Sequence, residues 1–143
     1  MNIKNILDQG KTILKNNNIP NPSLDSEILL SKSINKDKKY IILNSKEILS
    51  STQLDSFINF IDRRKNGEPI AYLTNKKEFW KDEFYVNKEV LIPRPDTEMI
   101  IEQVIKNYPE KSQLQVLDIG TGSGCILLSI IKERPNSYGT GID

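Results

Sequence analysis

The sequence predicts an α/β protein in three parts: an N-terminal helical bundle, a β-hairpin connector, and the start (strand, helix, strand) of a parallel domain. Three observations carry this. Apolar residues recur at helical spacing as far as Lys65. Short aromatic runs replace them between Gly67 and Val86. From Leu114, a near-continuous apolar run leads into alternating glycines, a helical stretch and a second β-prone run. The parts are expected at residues 1–67, 68–92 and 93–143.

Length and composition bound the answer. At 143 residues the chain suits one domain, or a small domain plus part of another. It is 37% hydrophobic and 27% charged, as in ordinary soluble proteins. A net charge of +1 gives no global pull towards nucleic acid or an anionic membrane. No apolar run approaches the roughly 20 residues that span a bilayer. Met1-Asn2-Ile3-Lys4-Asn5 lacks the apolar core and cleavage site of a signal peptide. The single cysteine, Cys125, excludes an intrachain disulfide and fits a reducing compartment, so a cytoplasmic location is expected. Histidine is absent. That removes His-based acid–base chemistry, Ser-His and Cys-His nucleophile pairs and most zinc sites, and no metal ligands are expected.

Ile3, Ile6, Leu7, Gly10, Ile13 and Leu14 mark the buried stripe of a first helix, ended by Asn16-Asn17-Asn18-Ile19-Pro20. Asn21-Pro22 offers an N-cap followed by proline at the first helical position. The second helix carries Leu24, Ile28 and Leu29 and is expected to run to about Ile34. Lys38 to Leu43 fits a short helix or a strand equally. A fourth helix is capped by Ser51 or Thr52 and buries Leu54, Phe57, Ile58 and Ile61. Asn66-Gly67 and Pro69 stop it. Its last turn, Arg63-Arg64-Lys65, completes the helix dipole on one reading and forms part of a docking platform for a macromolecule on another.

Ile70-Ala71-Tyr72-Leu73, Glu78-Phe79-Trp80 and Phe84-Tyr85-Val86 are β-prone, and Lys81-Asp82-Glu83 makes a turn between the last two. Trp80 reads as a packing residue rather than a ligand platform. In Ile92-Pro93-Arg94-Pro95 the two prolines hold the backbone extended. The next helix starts at about Asp96, with Asp96 and Glu98 at its positive end, and buries Ile100, Val104 and Tyr108. This stretch is a rigid interdomain turn or the pre-shaped wall of a cleft.

Leu114 to Ile119 reads as a strand buried on both faces. Gly120, Gly122 and Gly124 then allow a tight turn that a ligand can approach closely. Cys125 to Lys132 returns to helix, with Ile126, Leu127, Ile130 and Ile131 facing neighbours. Tyr138 to Asp143 supplies a parallel partner strand. A carboxylate at the end of such a strand, about twenty residues after the glycines, accepts hydrogen bonds from ribose hydroxyls, the role assigned to Asp143. The pattern Asp-x-Gly-x-Gly-x-Gly differs from the Gly-x-Gly-x-x-Gly that cradles a pyrophosphate, and Cys125 stands where a phosphate-binding loop needs lysine. The turn therefore suits a ribose-bearing cofactor without a diphosphate, with S-adenosyl-L-methionine ahead of NAD, FAD or no ligand.

Gly67-Glu68-Pro69-Ile70-Ala71-Tyr72, Leu91-Ile92-Pro93-Arg94-Pro95-Asp96-Thr97-Glu98 and Val116-Leu117-Asp118-Ile119-Gly120-Thr121-Gly122-Ser123-Gly124 together resemble the release factor glutamine methyltransferase family. The glycine turn alone would indicate only a Rossmann-like class I methyltransferase domain; the proline stretch at this distance before it makes the match specific. The resemblance covers essentially the whole chain. It implies methyl transfer from S-adenosyl-L-methionine to the side-chain amide nitrogen of the glutamine in the Gly-Gly-Gln motif of peptide chain release factors. It also implies that Gly120, Thr121, Gly122, Ser123 and Gly124 hold the methionine part of the cofactor and Asp143 its ribose, with Asp118 steadying the turn or the ammonium. Pro93, Arg94 and Pro95 would border the substrate cleft, and the helical bundle would dock the release factor.

One departure is large. The family's Asn-Pro-Pro-Tyr substrate motif is absent, so no catalytic residue is expected within this chain. The chain is expected to be the N-terminal part of a longer enzyme, monomeric at full length and inactive as residues 1–143. Two other readings stand beside it: a non-catalytic module that binds release factor or cofactor, and a nucleic-acid amino-methyltransferase, against which the balanced charge argues.

Overall fold

The computed structural model describes residues Met1–Asp143, and the chain forms two compact units, Met1–Thr74 and Asn75–Asp143. In the first, helix α1 (Ile3–Asn16) starts where the Asn2 side chain accepts the Asn5 N–H at 2.9 Å. Helix α2 (Pro22–Ile34) opens with proline in its first turn and stops at left-handed Asn35. The ambiguous stretch is helix α3 (Lys38–Leu43): the Asp37 carboxylate accepts the Tyr40 N–H at 2.7 Å and nucleates the turn. Helix α4 (Ser51–Lys65) is capped by Ser50, one residue before the expected cap, because Ser50 and Gln53 close a reciprocal capping box. At its end the Gly67 and Glu68 amides return to the Arg64 and Arg63 carbonyls, with Gly67 at φ +93°.

Ile70 to Leu73, β-prone by composition, lies instead in helix α5 (Ile70–Thr74). The Pro69 carbonyl accepts the Tyr72 and Leu73 amides, and Leu73 is buried in the bundle core. Burial and a proline start outweigh local propensity here.

The core of this unit joins Ile3, Ile6 and Leu14 of α1 to Leu29, Leu30, Phe57 and Ile61. Leu24 and Ile58, expected inside, are exposed. On α2 the inward positions belong to Asp25 and Ser26, which are buried because each has a partner. The Arg64 Nε–H donates to Asp25 at 2.7 Å, and the Ser26 hydroxyl donates to the Leu7 carbonyl at 3.2 Å.

The second unit opens with an antiparallel hairpin of β1 (Lys76–Phe79) and β2 (Asp82–Tyr85). Its turn is Trp80–Lys81 rather than Lys81 to Glu83, with Trp80 at φ +57°. Two carboxylates hold that unfavourable conformation: the Trp80 backbone N–H donates to Glu98 at 2.8 Å and its indole N–H to Glu133 at 2.7 Å. The ring packs against the core of Phe79, Phe84, Ile101, Cys125 and Ile130, as a packing residue should. A 3-10 turn, Pro95–Thr97, leads into helix α6 (Glu98–Asn107). Val104 faces the core as expected, joined by Ile101 and Ile105, whereas Ile100 and Tyr108, also expected inside, are exposed.

Strands β3 (Gln115–Ile119) and β4 (Tyr138–Ile142) pair in parallel around helix α7 (Cys125–Glu133). The expectation of burial on both faces is not met. Val116 packs into the core beside α6 and α7 residues, while Leu117 and Ile119 on the opposite face are 61% and 75% exposed. Helices cover only one side of this pair. Beyond α7, Arg134 is buried and donates to the carbonyls of Ile105 and Tyr108, closing the C-terminal end of α6.

Candidate cofactor-binding site

The parallel register sets Ile119 beside Ile142, and this brings the turn after β3 against the end of β4. The Gly120 and Thr121 amides both donate to the Ile142 carbonyl, at 2.7 and 3.1 Å. The Gly124 amide donates to the Thr121 carbonyl at 2.8 Å and closes the turn. Gly120, Gly122 and Gly124 all have positive φ (+76°, +53° and +75°), where a side chain would strain the backbone. The Thr121 hydroxyl donates to Asp118 Oδ2 at 3.0 Å, which ties the turn back to β3.

Asp143 completes the site. Its Oδ1 and Oδ2 lie 3.3 and 3.2 Å from the Gly122 backbone nitrogen, which donates to the carboxylate. The Ser123 hydroxyl oxygen is buried and has no hydrogen-bond partner. Beside Gly120, nothing lies within 4 Å of the place a Cβ would occupy. Gly124 is the N-cap of α7, and no side chain caps that helix end. The arrangement thus offers backbone donors, an unsatisfied hydroxyl, one carboxylate and open space, and it contains no general acid or base of the histidine type.

The structure brings Gly120, Thr121, Gly122, Ser123, Gly124 and Asp143 together. Of the proline stretch, Pro93 is buried, whereas Arg94 and Pro95 are exposed. The residue from this region found at the glycine turn is Val90, whose Cγ1 lies 3.6 Å from where a Cβ of Gly122 would stand. Sequence reasoning missed it. The nearest signal was Asn87, whose side chain accepts the Glu89 amide at 2.9 Å while the Val90 amide donates to the Asn87 carbonyl at 3.1 Å.

In the helical unit, the basic last turn of α4 is occupied internally. Arg63 donates to both carboxylate oxygens of Glu68 at 2.8 and 2.6 Å, and this bond holds its guanidinium above its ordinary pKa. Arg64 bonds Asp25 and the Glu68 carbonyl, and Lys65 pairs with Asp62 at 2.6 Å.

Comparison with known proteins gives a consistent answer. Residues 5–74 match the PrmC N-terminal domain family. The release factor glutamine methyltransferase of Coxiella burnetii is 41% identical over 133 residues, covering 93% of this chain and 46% of that protein. That of Koribacter versatilis is 38% identical over 143 residues, covering 100% of this chain and 51% of its own length. A bifunctional methyltransferase of Rickettsia bellii is 36% identical over 167 residues, covering 99% of this chain and 30% of that protein. The chain spans about half the length, or less, of these curated relatives. No helix is long and apolar enough to cross a membrane. On these matches, carried by both the helical unit and the glycine turn, the chain belongs to the release factor glutamine methyltransferase family.

Proposed function

We propose that this chain supplies the cofactor-holding and substrate-docking parts of an enzyme that methylates the glutamine side-chain amide nitrogen in the Gly-Gly-Gln motif of peptide chain release factors. The methyl donor is S-adenosyl-L-methionine, and the enzyme acts in the cytoplasm. The observation that carries this reading is the left-handed glycine turn with the Asp143 carboxylate at its centre. The names of relatives that share this whole stretch support it.

The residues fit the cofactor. Open space beside Gly120 admits a ligand against the backbone, and the orphaned Ser123 hydroxyl gains a partner when a polar ligand arrives. Gly120 to Gly124 would hold the methionine portion, and Asp143 would accept hydrogen bonds from the ribose hydroxyls. When bound, S-adenosyl-L-methionine supplies a methyl group activated by its positively charged sulfur. The chain's own contribution is positioning: the turn is pinned to β4 through the Ile142 carbonyl and to β3 through Asp118, so its amides are held before a ligand enters. Pro93, Arg94 and Pro95 would border the cleft that admits the glutamine. An amide nitrogen is a poor nucleophile, and the acceptors that orient it would come from an Asn-Pro-Pro-Tyr motif lying beyond residue 143 in the same protein.

The test is methyl transfer by a longer protein containing this sequence. Labelled S-adenosyl-L-methionine is expected to mark purified release factor at the Gly-Gly-Gln glutamine, and not a variant with alanine there. Residues 1–143 alone are expected to give no turnover. Because some relatives are bifunctional methyltransferases, tRNA and adenine-containing DNA belong in the same assay. Label in nucleic acid alone would overturn the proposal.

A further inference from the structure

Three of the large apolar side chains that the helical unit exposes fall within seven positions: Ile42, Leu43 and Ile48 are 64%, 71% and 76% exposed. They lie on α3 and just after it, while their neighbour Ile41 anchors the helix in the core. Ile42 borders a depression shared with Lys4, Lys38 and Ser45 and with two carboxylates, Asp8 and Glu27, the latter paired with Lys38.

The same stretch is basic. Lys36, Lys38, Lys39 and Lys46 outnumber Asp37 and Glu47, and both carboxylates already have partners. Asp37 caps α3, and Glu47 accepts the Tyr40 hydroxyl at 2.7 Å. Lys38 pairs with Glu27, and Lys36 lies over the Tyr40 ring, 5.1 Å from its centre. Lys39 and Lys46 are exposed and hold no ion pair. The contrast with Arg63, Arg64 and Lys65 matters. That basic cluster, the more conspicuous one in the sequence, is occupied by Glu68, Asp25 and Asp62.

We infer that the α3 face is an interaction surface for an acidic protein segment that also carries apolar side chains. The inference rests on the proposed function for the segment's owner, the release factor. Apolar anchors accompanied by two cations free of ion pairs, Lys39 and Lys46, suit such a partner: the anchors supply buried area, while the charges steer encounter and reject basic partners. Single-stranded RNA is a poorer match, because it stacks on exposed aromatic rings and the one ring here, Tyr40, is half-buried with its hydroxyl held. A membrane surface is poorer too, since α3 has six residues and interfacial helices are commonly about 20–30 long.

The experiment uses a full-length protein containing this chain, with purified release factor as the probe. Two variants, Lys39→Glu/Lys46→Glu and Ile42→Ser/Leu43→Ser, are compared with a control pair, Lys11→Glu/Lys15→Glu, on the exposed side of α1. Both α3 variants are expected to raise KM for release factor about tenfold with kcat unchanged, and to weaken direct binding in parallel. The lysine variant is also expected to flatten the salt dependence, while the control matches the unaltered protein. Lack of methylation by the unaltered protein would refute the proposed function. Lack of release-factor binding to it, or binding equally tight in the α3 variants, would refute the docking inference. So would loss of binding to an RNA oligonucleotide or an anionic phosphatidylserine vesicle in those variants while release-factor KM stays unchanged.

Discussion

The Asp143 carboxylate lies 3.2 Å from the Gly122 backbone nitrogen, although 21 residues separate them in sequence. The parallel register of β3 and β4 makes this meeting inevitable, since Ile119 and Ile142 are direct partners. A ribose hydroxyl arriving at this carboxylate would meet an acceptor already oriented by the turn. Asp143→Ala is expected to weaken S-adenosyl-L-methionine binding to a full-length protein about 10–100-fold, the range for losing hydrogen bonds to a charged group. Asp143→Asn should retain part of the affinity. Isothermal titration measures both, and an unchanged Kd for the alanine variant would remove Asp143 from the site.

The Arg64–Asp25 pair locks α4 to α2 in a largely buried setting. Removing one partner strands the other, at a cost of about 3–5 kcal/mol. Arg64→Met alone and Asp25→Leu alone are therefore each expected to lower the urea midpoint strongly. The double variant should recover much of the loss, because neither charge is then left unpaired. Additive losses in this cycle would mean that the two side chains do not act as a pair.

Gly10 stands where α1 passes close to Phe57 and Ser26. A Cβ there would lie 2.7 Å from both the Phe57 ring and the Ser26 hydroxyl. Gly10→Ala should accordingly destabilise the helical unit by about 1–3 kcal/mol, despite alanine's better helix propensity. Chemical denaturation reads the sign directly: a gain in stability would show that the helices yield at this contact.

Glu133 accepts hydrogen bonds from Lys81 and from the Trp80 indole, and these hold its pKa below the ordinary value. A depressed folded-state pKa means that stability is present above the unfolded value, about 4.3, and is lost as the pH falls through the folded one. Thermal melts between pH 6 and pH 3 (roughly spanning that window) should therefore show a smaller acid-induced drop in Tm for Glu133→Gln than for the unaltered protein. Equal drops would mean that this carboxylate carries none of the acid sensitivity.

The sequence-to-structure agreements and errors sort by range. The boundaries of α2 follow from Pro22 and the stop at Asn35, and the end of α4 follows from Gly67; each acts within a turn of the chain. Ile70 to Leu73 misled because its β-prone residues say nothing of Leu73 finding a place in the bundle core. Trp80 misled for the same reason: Glu98 and Glu133, 18 and 53 residues away, put it in a turn conformation that its own side chain disfavours.

By itself, the sequence determined the helices α1, α2 and α4, the hairpin, the strand-helix-strand order of β3, α7 and β4, and the glycine turn with its closing carboxylate. Helical period, prolines and glycines impose backbone geometry locally, whatever lies around them. Only the tertiary structure decided that Asp25 and Ser26 face inward, that Val90 meets the glycine turn, that Arg134 closes α6, and that Arg64 is held by Asp25. Each of these is settled by a partner distant in sequence, and the energy of a buried polar group or a surface charge depends on that partner rather than on its neighbours in the chain.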